Sequence, residues 1–122
     1  MDYVLLALKL IVSLSILNVW LIQYNKPTRW RGGDAKTIVQ EFHVYGLPTW
    51  FCYLIGILKV GLAILLLLSI WYIQLAQPSA LGLSVLLIGS IIMHLKIKDP
   101  LYKSLPAFVF LCLSLIIAFY PF

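Results

Sequence analysis

Four long apolar stretches, separated by shorter polar connections, dominate the pattern along the chain. They cover residues 4–24, 49–72, 79–95 and 105–122. Each is close to or above the roughly 20 helical residues that cross the hydrocarbon core of a bilayer. The period-two alternation of a membrane barrel is absent. Because backbone N–H and C=O groups in lipid must be paired within the protein, the pattern predicts four transmembrane helices.

The connection between the first two apolar stretches has a pattern of its own. In the segment 35–45, "AKTIVQEFHVY", helical spacing puts these apolar residues on one face: Ala35, Ile38, Val39, Phe42 and Tyr45. The opposite face is polar apart from Val44. The Gly-Gly-Asp sequence at 32–34 predicts a turn and an N-cap before this segment. We therefore expect a short amphipathic helix at the membrane surface or against the bundle.

The composition supports a membrane location. Of the 122 residues, 63% are hydrophobic and 11% are charged, whereas soluble domains are typically about half apolar and about a quarter charged. The first apolar stretch lacks a basic start and a small-residue cleavage site, so we interpret it as a retained helix and not as a signal peptide. The sequence predicts an all-α fold with one domain over residues 1–122. We expect an integral membrane four-helix bundle with a short amphipathic helix in its first loop.

Basic residues fall on one side of the predicted bundle. With four spans, the first and third loops face the same compartment and hold seven basic residues: Lys26, Arg29, Arg31, Lys36, Lys96, Lys98 and Lys103. The second loop has none. By the positive-inside rule, we expect both basic loops in the cytoplasm and both termini outside. The chain is then a multi-pass protein of the cell membrane, whose lysines and arginines contact lipid headgroups and not nucleic acid.

A lysine within the second apolar stretch is the most informative polar residue. Lys59 lies about ten residues into that stretch, which places it about 15 Å deep. A lysine at this depth costs about 3 kcal/mol, and no predicted span contains an acidic residue. We expect Lys59 to face an internal cavity, either neutral, paired with Glu41, or bound to an anionic or carbonyl group of a ligand. The alternative is a structural lysine bound to a carbonyl or hydroxyl inside the bundle.

Four further polar residues are predicted to share a pocket with Lys59, open towards the cytoplasmic leaflet: Asn18, Glu41, His94 and Ser114. Lys59 would hold a polar head such as a quinone carbonyl, and His94 is a candidate proton carrier. Lys9 is nearer the outer end of its helix, so we expect its side chain to snorkel to the outer headgroups. We expect Gly56 and Gly61 to allow close approach between helices.

Other site chemistries find little support in the sequence. Cys52 and Cys112 are far apart and form no CxxC pair, so we interpret both as small buried apolar residues. His43 and His94 lack the HxxxH spacing and a fixed carboxylate partner, so no metal site is predicted. No catalytic triad or phosphate-binding glycine loop is present. These features favour a protein that is not itself an enzyme.

Two stretches resemble a known family. Residues 42–67, "FHVYGLPTWFCYLIGILKVGLAILLL", and 87–107, "LIGSIIMHLKIKDPLYKSLPA", resemble the DoxX-like family of small four-helix membrane proteins. The first stretch has that family's Gly-x-Pro turn, its GxxK element and a following small residue: Gly46, Pro48, Gly56, Lys59 and Gly61. The second has the family's Gly-small-x-x-x-His ending, formed by Gly89, Ser90 and His94.

The resemblance implies a membrane-embedded accessory role without fixing one chemistry. The family is named after a subunit of an archaeal thiosulfate:quinone oxidoreductase, and its members are described as redox-associated proteins or assembly factors. From it we expect a subunit or assembly factor linked to a larger membrane redox complex, with a quinone-like or lipid ligand near Lys59. One alternative is a membrane enzyme that acts on a lipophilic small molecule, with Lys59 and His94 as an acid–base pair. Another is a purely structural subunit, in which the lysine fixes helix register.

Overall fold

The computed structural model describes residues 3–22 and 33–120. This part of the chain forms five α-helices: Tyr3–Leu17 (α1), Ile38–Val44 (α2), Thr49–Leu68 (α3), Ala76–Lys96 (α4) and Leu105–Phe119 (α5). A π-helical turn, Asn18–Ile22, continues α1, and 3-10 turns lead into α4 and α5. The described residues include no strand, so the predicted all-α fold is confirmed.

Four helical segments are long and apolar enough to cross a membrane: Tyr3–Ile22, Thr49–Leu68, Ile73–Lys96 and Leu101–Phe119. The helix of the third predicted span, α4, begins at Ala76, three residues before the predicted start, because the first turn of a helix tolerates Pro78. The predicted helix ends at residues 24 and 122 lie outside the described part of the chain. So do three of the predicted basic-loop residues and the first glycine of the predicted turn: Lys26, Arg29, Arg31 and Gly32.

The four spans pack as a ring. α1 and α4 each pack against α3 and α5, so α1 and α4 occupy opposite corners. The inner face of α1 and its π-helical turn is buried at helical spacing: Leu5, Lys9, Val12, Ser13, Ile16 and Trp20. Large apolar side chains such as Ile57 and Val85 remain exposed on the outside of the ring. Such a surface suits a helix bundle whose solvent is lipid.

The amphipathic segment forms the helix α2, which packs against α3. Its buried residues are Ile38 and Phe42, with buried Ala35 and Tyr45 on either side, as the helical spacing predicts. The predicted N-cap at residue 34 is wrong, because the hydroxyl of Thr37 accepts the Gln40 N–H at 3.1 Å. The helix ends in a Schellman motif, in which Gly46 has a φ of +83° and donates to the His43 carbonyl.

Lys9 lies inside the bundle. Its side chain is fully buried, and Nζ donates a hydrogen bond to the Ser69 carbonyl at 3.1 Å. Ser69 follows the last residue of α3, so the ammonium satisfies a helix-terminal carbonyl at the negative end of the α3 dipole. The expectation that Lys9 snorkels to the headgroups is wrong, because the end of α3 offers it an acceptor within the protein.

The two glycines of α3 differ in their surroundings. A Cβ added at Gly56 would lie 2.8 Å from Cζ3 and 2.9 Å from Cε3 of Trp20. A Cβ at Gly61 would meet nothing within 4 Å. Close helix approach is therefore confirmed at Gly56. The same expectation is wrong for Gly61, which is exposed.

We expect Gly56→Ala to destabilise the protein by about 1–3 kcal/mol, because the buried Trp20 ring must move to admit the methyl group. The matched control, Gly61→Ala, is expected to change stability by no more than about 1 kcal/mol in the stabilising direction. Unfolding of detergent-solubilised protein by added dodecyl sulfate measures both. Equal stabilities for the two variants would contradict the packing of Trp20 on Gly56.

Candidate functional site

A partly open cavity of about 270 Å³ lies beneath α2, between the first half of α3 and the second half of α4. The π-helical turn after α1 borders it through Val19 and Trp20. Most of its wall is apolar, formed by residues that include Ile38, Phe42, Phe51, Ile55, Leu86 and Met93. Five of the lining residues have polar groups in their side chains: Trp20, Glu41, Tyr45, Lys59 and Ser90. An apolar chamber with a few polar groups is typical of small-molecule sites.

Lys59 lies midway along α3 and is 8% exposed. Its Nζ donates a hydrogen bond to Ser90 Oγ of α4 at 3.1 Å, and Ser90 Oγ donates to the Leu86 carbonyl at 3.3 Å. The ammonium also lies 5.5 Å from the centroid of the Trp20 ring, within cation–π distance. The Glu41 carboxylate lies on the same cavity wall and attracts this ammonium. A buried ammonium can also donate to a carbonyl or anionic oxygen of a ligand.

The position of Trp20 depends on two local features. Trp20 lies in the π-helical turn, a rare local geometry that often marks functional sites. Its ring packs where Gly56 has no side chain, and it meets Phe42 of α2 edge-on with the ring centroids 6.1 Å apart. Trp20 thus joins α1, α2 and α3 around the ammonium of Lys59.

A second polar cluster lies at the end of α4. The helix closes with a Schellman motif, in which Lys98 has a φ of 57° and the Asp99 N–H donates to the His94 carbonyl at 3.0 Å. This turn brings the Asp99 carboxylate back to His94, with Oδ2 2.7 Å from Nδ1. The carboxylate also accepts the Gly33 N–H at 3.0 Å and lies 3.9 Å from Lys103 Nζ.

Hydrogen bonds from the turn after α4 and its neighbours reach both ends of the α2 segment, residues 33–45. At one end, Lys103 Nζ donates to the Gly33 carbonyl at 2.7 Å. At the other end, Lys96 Nζ donates to the Tyr45 carbonyl at 3.0 Å, and the Tyr45 hydroxyl lies 3.4 Å from His94 Nε2. Tyr45 also lines the cavity, so it connects the cavity with the pair formed by His94 and Asp99.

The structure brings together part of the predicted pocket. Lys59 and Glu41 both line the cavity, and α2 covers it. His94 does not line the cavity and lies behind Tyr45. Asn18 is exposed on the π-helical turn, and Ser114 is fully buried on α5, which contributes nothing to the wall. The assignment of these five residues to ligand binding stays a prediction.

Sequence reasoning did not select four residues that shape the two polar clusters. These are Trp20, Tyr45, Ser90 and Asp99. Ser90 carried a signal, because it belongs to the Gly-small-x-x-x-His pattern and lies one helical turn before His94. Tyr45 was placed on the buried face of α2, but its hydroxyl partner could not be inferred. Asp99 gave no signal, since its role depends on the turn that follows α4.

The two cysteines differ in their exposure, and the described residues form no metal-binding group. Cys52 is buried as expected, but the expectation of a buried Cys112 is wrong, because this thiol is exposed on α5. A thiol is apolar enough for a lipid-facing position. Within residues 3–22 and 33–120, no group of three or more His, Cys, Asp or Glu side chains could hold a metal ion.

Comparison with known protein families gives a match that covers most of the chain. The model of the DoxX-like family matches residues 31–117. This range holds α2 to α4, nearly all of α5 and every residue of the Gly-x-Pro, GxxK and Gly-small-x-x-x-His patterns. No curated protein and no solved structure matched the chain. Because the family model covers most of the chain, this small integral membrane protein belongs to the DoxX-like family.

Proposed function

We propose that the protein is an accessory or binding subunit, or an assembly factor, of a membrane redox complex. We propose further that its cavity receives the polar head of a quinone-like or lipid molecule. The observation that carries the ligand proposal is the buried Lys59 on the wall of an otherwise mostly apolar chamber. Ionisable side chains inside a membrane are costly and commonly mark ligand or ion sites. The redox link rests on what membership of the DoxX-like family implies.

The size and lining of the cavity fit a ring-sized head better than a whole lipid. About 270 Å³ is near the lower end of small-molecule pockets. Val19 and Val85 are cavity residues with exposed side chains, so the chamber is continuous with the apolar outer surface of the bundle. A lipophilic tail therefore has a path into lipid while the head meets Lys59 and Ser90. The rings of Trp20 and Phe51 provide flat apolar surfaces for an aromatic head.

Extraction of bound lipophiles tests this proposal directly. The protein is purified in mild detergent and analysed by native mass spectrometry, and its solvent extract is recorded in the ultraviolet. We expect the wild type to carry a quinone-type chromophore and Lys59→Met to lose most of it, because methionine keeps most of the apolar stem of lysine but cannot donate a hydrogen bond. Lys9→Met is the matched control, since Lys9 is also buried in a span but lies outside the cavity.

The outcomes separate the competing functions. Equal ligand content in the wild type and Lys59→Met would contradict the role of this lysine as an anchor. A ligand-free wild type that also fails to bind added decyl-benzoquinone would reject the ligand proposal. If that ligand-free protein purified with larger membrane subunits, the purely structural alternative would gain support.

We also propose that the connection containing α2 and the connection between α4 and α5 face the cytoplasm, and that both termini lie outside. Lys36 and Gln74 are exposed and lie in the connections at opposite ends of α3. In a Cys112→Ala background, we expect a membrane-impermeant maleimide to label Gln74→Cys in intact cells and Lys36→Cys only after permeabilisation. Cys52 can remain, because it is fully buried. The reverse labelling pattern would invert the orientation.

A further inference from the structure

Gly89 lies on the cavity wall, where neither packing nor backbone conformation requires a glycine. It is a half-buried residue of α4, next to Ser90, the hydrogen-bond partner of Lys59. A Cβ added at Gly89 would meet no atom of the described residues within 4 Å, and its φ is not in the left-handed region. A glycine inside a helix is less stable than an alanine. What the glycine provides is open space in front of the α4 backbone.

The residues around Gly89 form the more exposed side of the cavity. Val85, one helical turn earlier, also lines the cavity and is 67% exposed. On α3, the lining residues Phe51 and Ile55 are half-buried. The partly exposed lining residues thus lie on two helices that pack against each other. Their positions favour an opening between α3 and α4, with Gly89 on its α4 side.

On the side of the cavity next to α1, an aromatic ring takes the corresponding space. Trp20 is buried, and its ring lies in front of Gly56 of α3. The same ring meets Phe42 of α2 edge-on. Two glycines that line or adjoin the cavity therefore differ in what covers them. The Trp20 ring covers Gly56, whereas no described atom covers Gly89.

The depth of Gly89 suits the passage of an apolar chain. Gly89 lies seven residues before the end of α4 at Lys96, which is about 10 Å along the helix. It belongs to the apolar segment Ile73–Lys96, and its neighbours Ile88 and Ile92 are exposed on the outer surface. A lipophilic chain that left the cavity here would enter hydrocarbon, where burial of its apolar surface is favourable. The cytoplasmic side is covered instead by α2.

We propose that Gly89 forms one side of a lateral portal between α3 and α4, and that this portal selects ligands with a ring-sized head and a single lipophilic tail. The head meets Lys59 and Ser90, while the first carbons of the tail pass Gly89 into lipid. A two-chain phospholipid needs a wider gap than one tail, and the cavity holds only about 270 Å³. The portal rests on the proposed ligand site and favours a quinone-like molecule over a phospholipid as its ligand.

Substitutions at Gly89 test the portal through binding of decyl-benzoquinone to the full-length protein in detergent. We expect binding to weaken by about ten-fold or more in Gly89→Leu and by about two- to five-fold in Gly89→Ala, since the added carbons narrow a passage that fits the tail. Gly61→Leu and Gly61→Ala are the matched controls, because Gly61 also has open space in front of it but lies outside the cavity. Both controls should bind like the wild type. Gly89→Ala should also unfold in dodecyl sulfate like Gly61→Ala, since neither methyl group meets a neighbour.

A photoreactive probe locates the tail directly. Decyl-benzoquinone with a diazirine near the ring end of its chain is activated in the bound state, and the labelled residues are identified by mass spectrometry. We expect the label on Ile55 and Val85, on the two sides of the portal, and less of it in Gly89→Leu. Label on Val19 with none on α4 would place the tail beside α1 and overturn the portal.

The portal and the ligand site can fail separately. If decyl-benzoquinone binds the wild type and Gly89→Leu equally, but not Lys59→Met, the portal is overturned and the ligand site stands. If a dioleoyl phospholipid displaces the bound quinone as effectively as unlabelled decyl-benzoquinone does, selection for a single tail is overturned. If decyl-benzoquinone does not bind the wild type, the ligand site and the portal fail together.

Discussion

Replacing Asp99 with alanine is expected to lower the free energy of unfolding by about 3–5 kcal/mol, the usual cost of removing one partner from a buried charged network. The Asp99 carboxylate contacts His94, Lys103 and the Gly33 N–H, and its side chain is 5% exposed. Without it, the buried imidazole Nδ1 and the Gly33 N–H lose their acceptor. Unfolding by added dodecyl sulfate, followed by circular dichroism, measures the loss.

The matched control for this prediction is Asp34→Ala. The Asp34→Ala substitution also removes one negative charge, from the residue next to Gly33. Because Asp34 is exposed, we expect the free energy of unfolding to change by no more than about 0.5 kcal/mol. Asp99 also connects the turn after α4 to the α2 segment. Asp99→Ala should therefore increase the rate of amide hydrogen exchange more in α2 than in α3. An Asp99→Ala protein as stable as Asp34→Ala would show that the cluster does not hold α2 in place.

The same substitution at the two buried lysines is expected to have effects of opposite sign. In ligand-free protein, Lys59→Met should raise the free energy of unfolding by about 1–3 kcal/mol, because the cost of a buried charge midway along a span outweighs its attraction to the Glu41 carboxylate. Its hydrogen-bond partner, Ser90 Oγ, keeps its bond to the Leu86 carbonyl. Residues that bind ligands commonly lower the stability of the ligand-free protein.

Lys9→Met should instead lower the free energy of unfolding by about 1–2 kcal/mol. It leaves the Ser69 carbonyl at the end of α3 without the ammonium donor and removes a favourable charge from the negative end of the helix. Thermal unfolding of both variants and the wild type, after delipidation in one detergent, compares the two directly. A loss of stability in Lys59→Met as large as that in Lys9→Met would support a structural role for Lys59.

The hydrophobic pattern predicted the spans well for a physical reason. In lipid every backbone group must be paired within the protein, so a run of about 20 apolar residues has few alternatives to a helix. The buried face of α2 was predictable too, because the spacing of Ile38 and Phe42 follows the helical period. The position of Lys59 midway along α3 followed from counting residues within the apolar stretch. Its burial then followed from the cost of exposing a lysine to hydrocarbon.

The errors arose where a residue's environment comes from another helix. Lys9 and Lys59 lie in similar apolar sequences, and only the packing of α1 beside the end of α3 gives Lys9 its acceptor. For Asn18 the assignment to ligand binding stays a prediction; it rests on depth, which does not determine which way a residue faces when the helix changes to a π-helical turn, and Asn18 is exposed there. Gly61 resembles Gly56 in sequence, yet only Gly56 has a partner, the ring of Trp20.

Four properties of this protein could be derived from the order of its residues alone: that it is a helical membrane protein, which segments are long and apolar enough to cross the bilayer, that the connection after the first span is amphipathic, and that Lys59 is buried. These properties depend on local spacing and on the free energy of transfer into lipid. The folded structure was needed to show that Trp20, Glu41 and Ser90 line the same cavity as Lys59, and that the Asp99 carboxylate contacts His94, whose other ring nitrogen faces the Tyr45 hydroxyl. Such contacts join residues far apart in the chain, and their geometry is set by helix packing and by turns such as the left-handed one at Lys98.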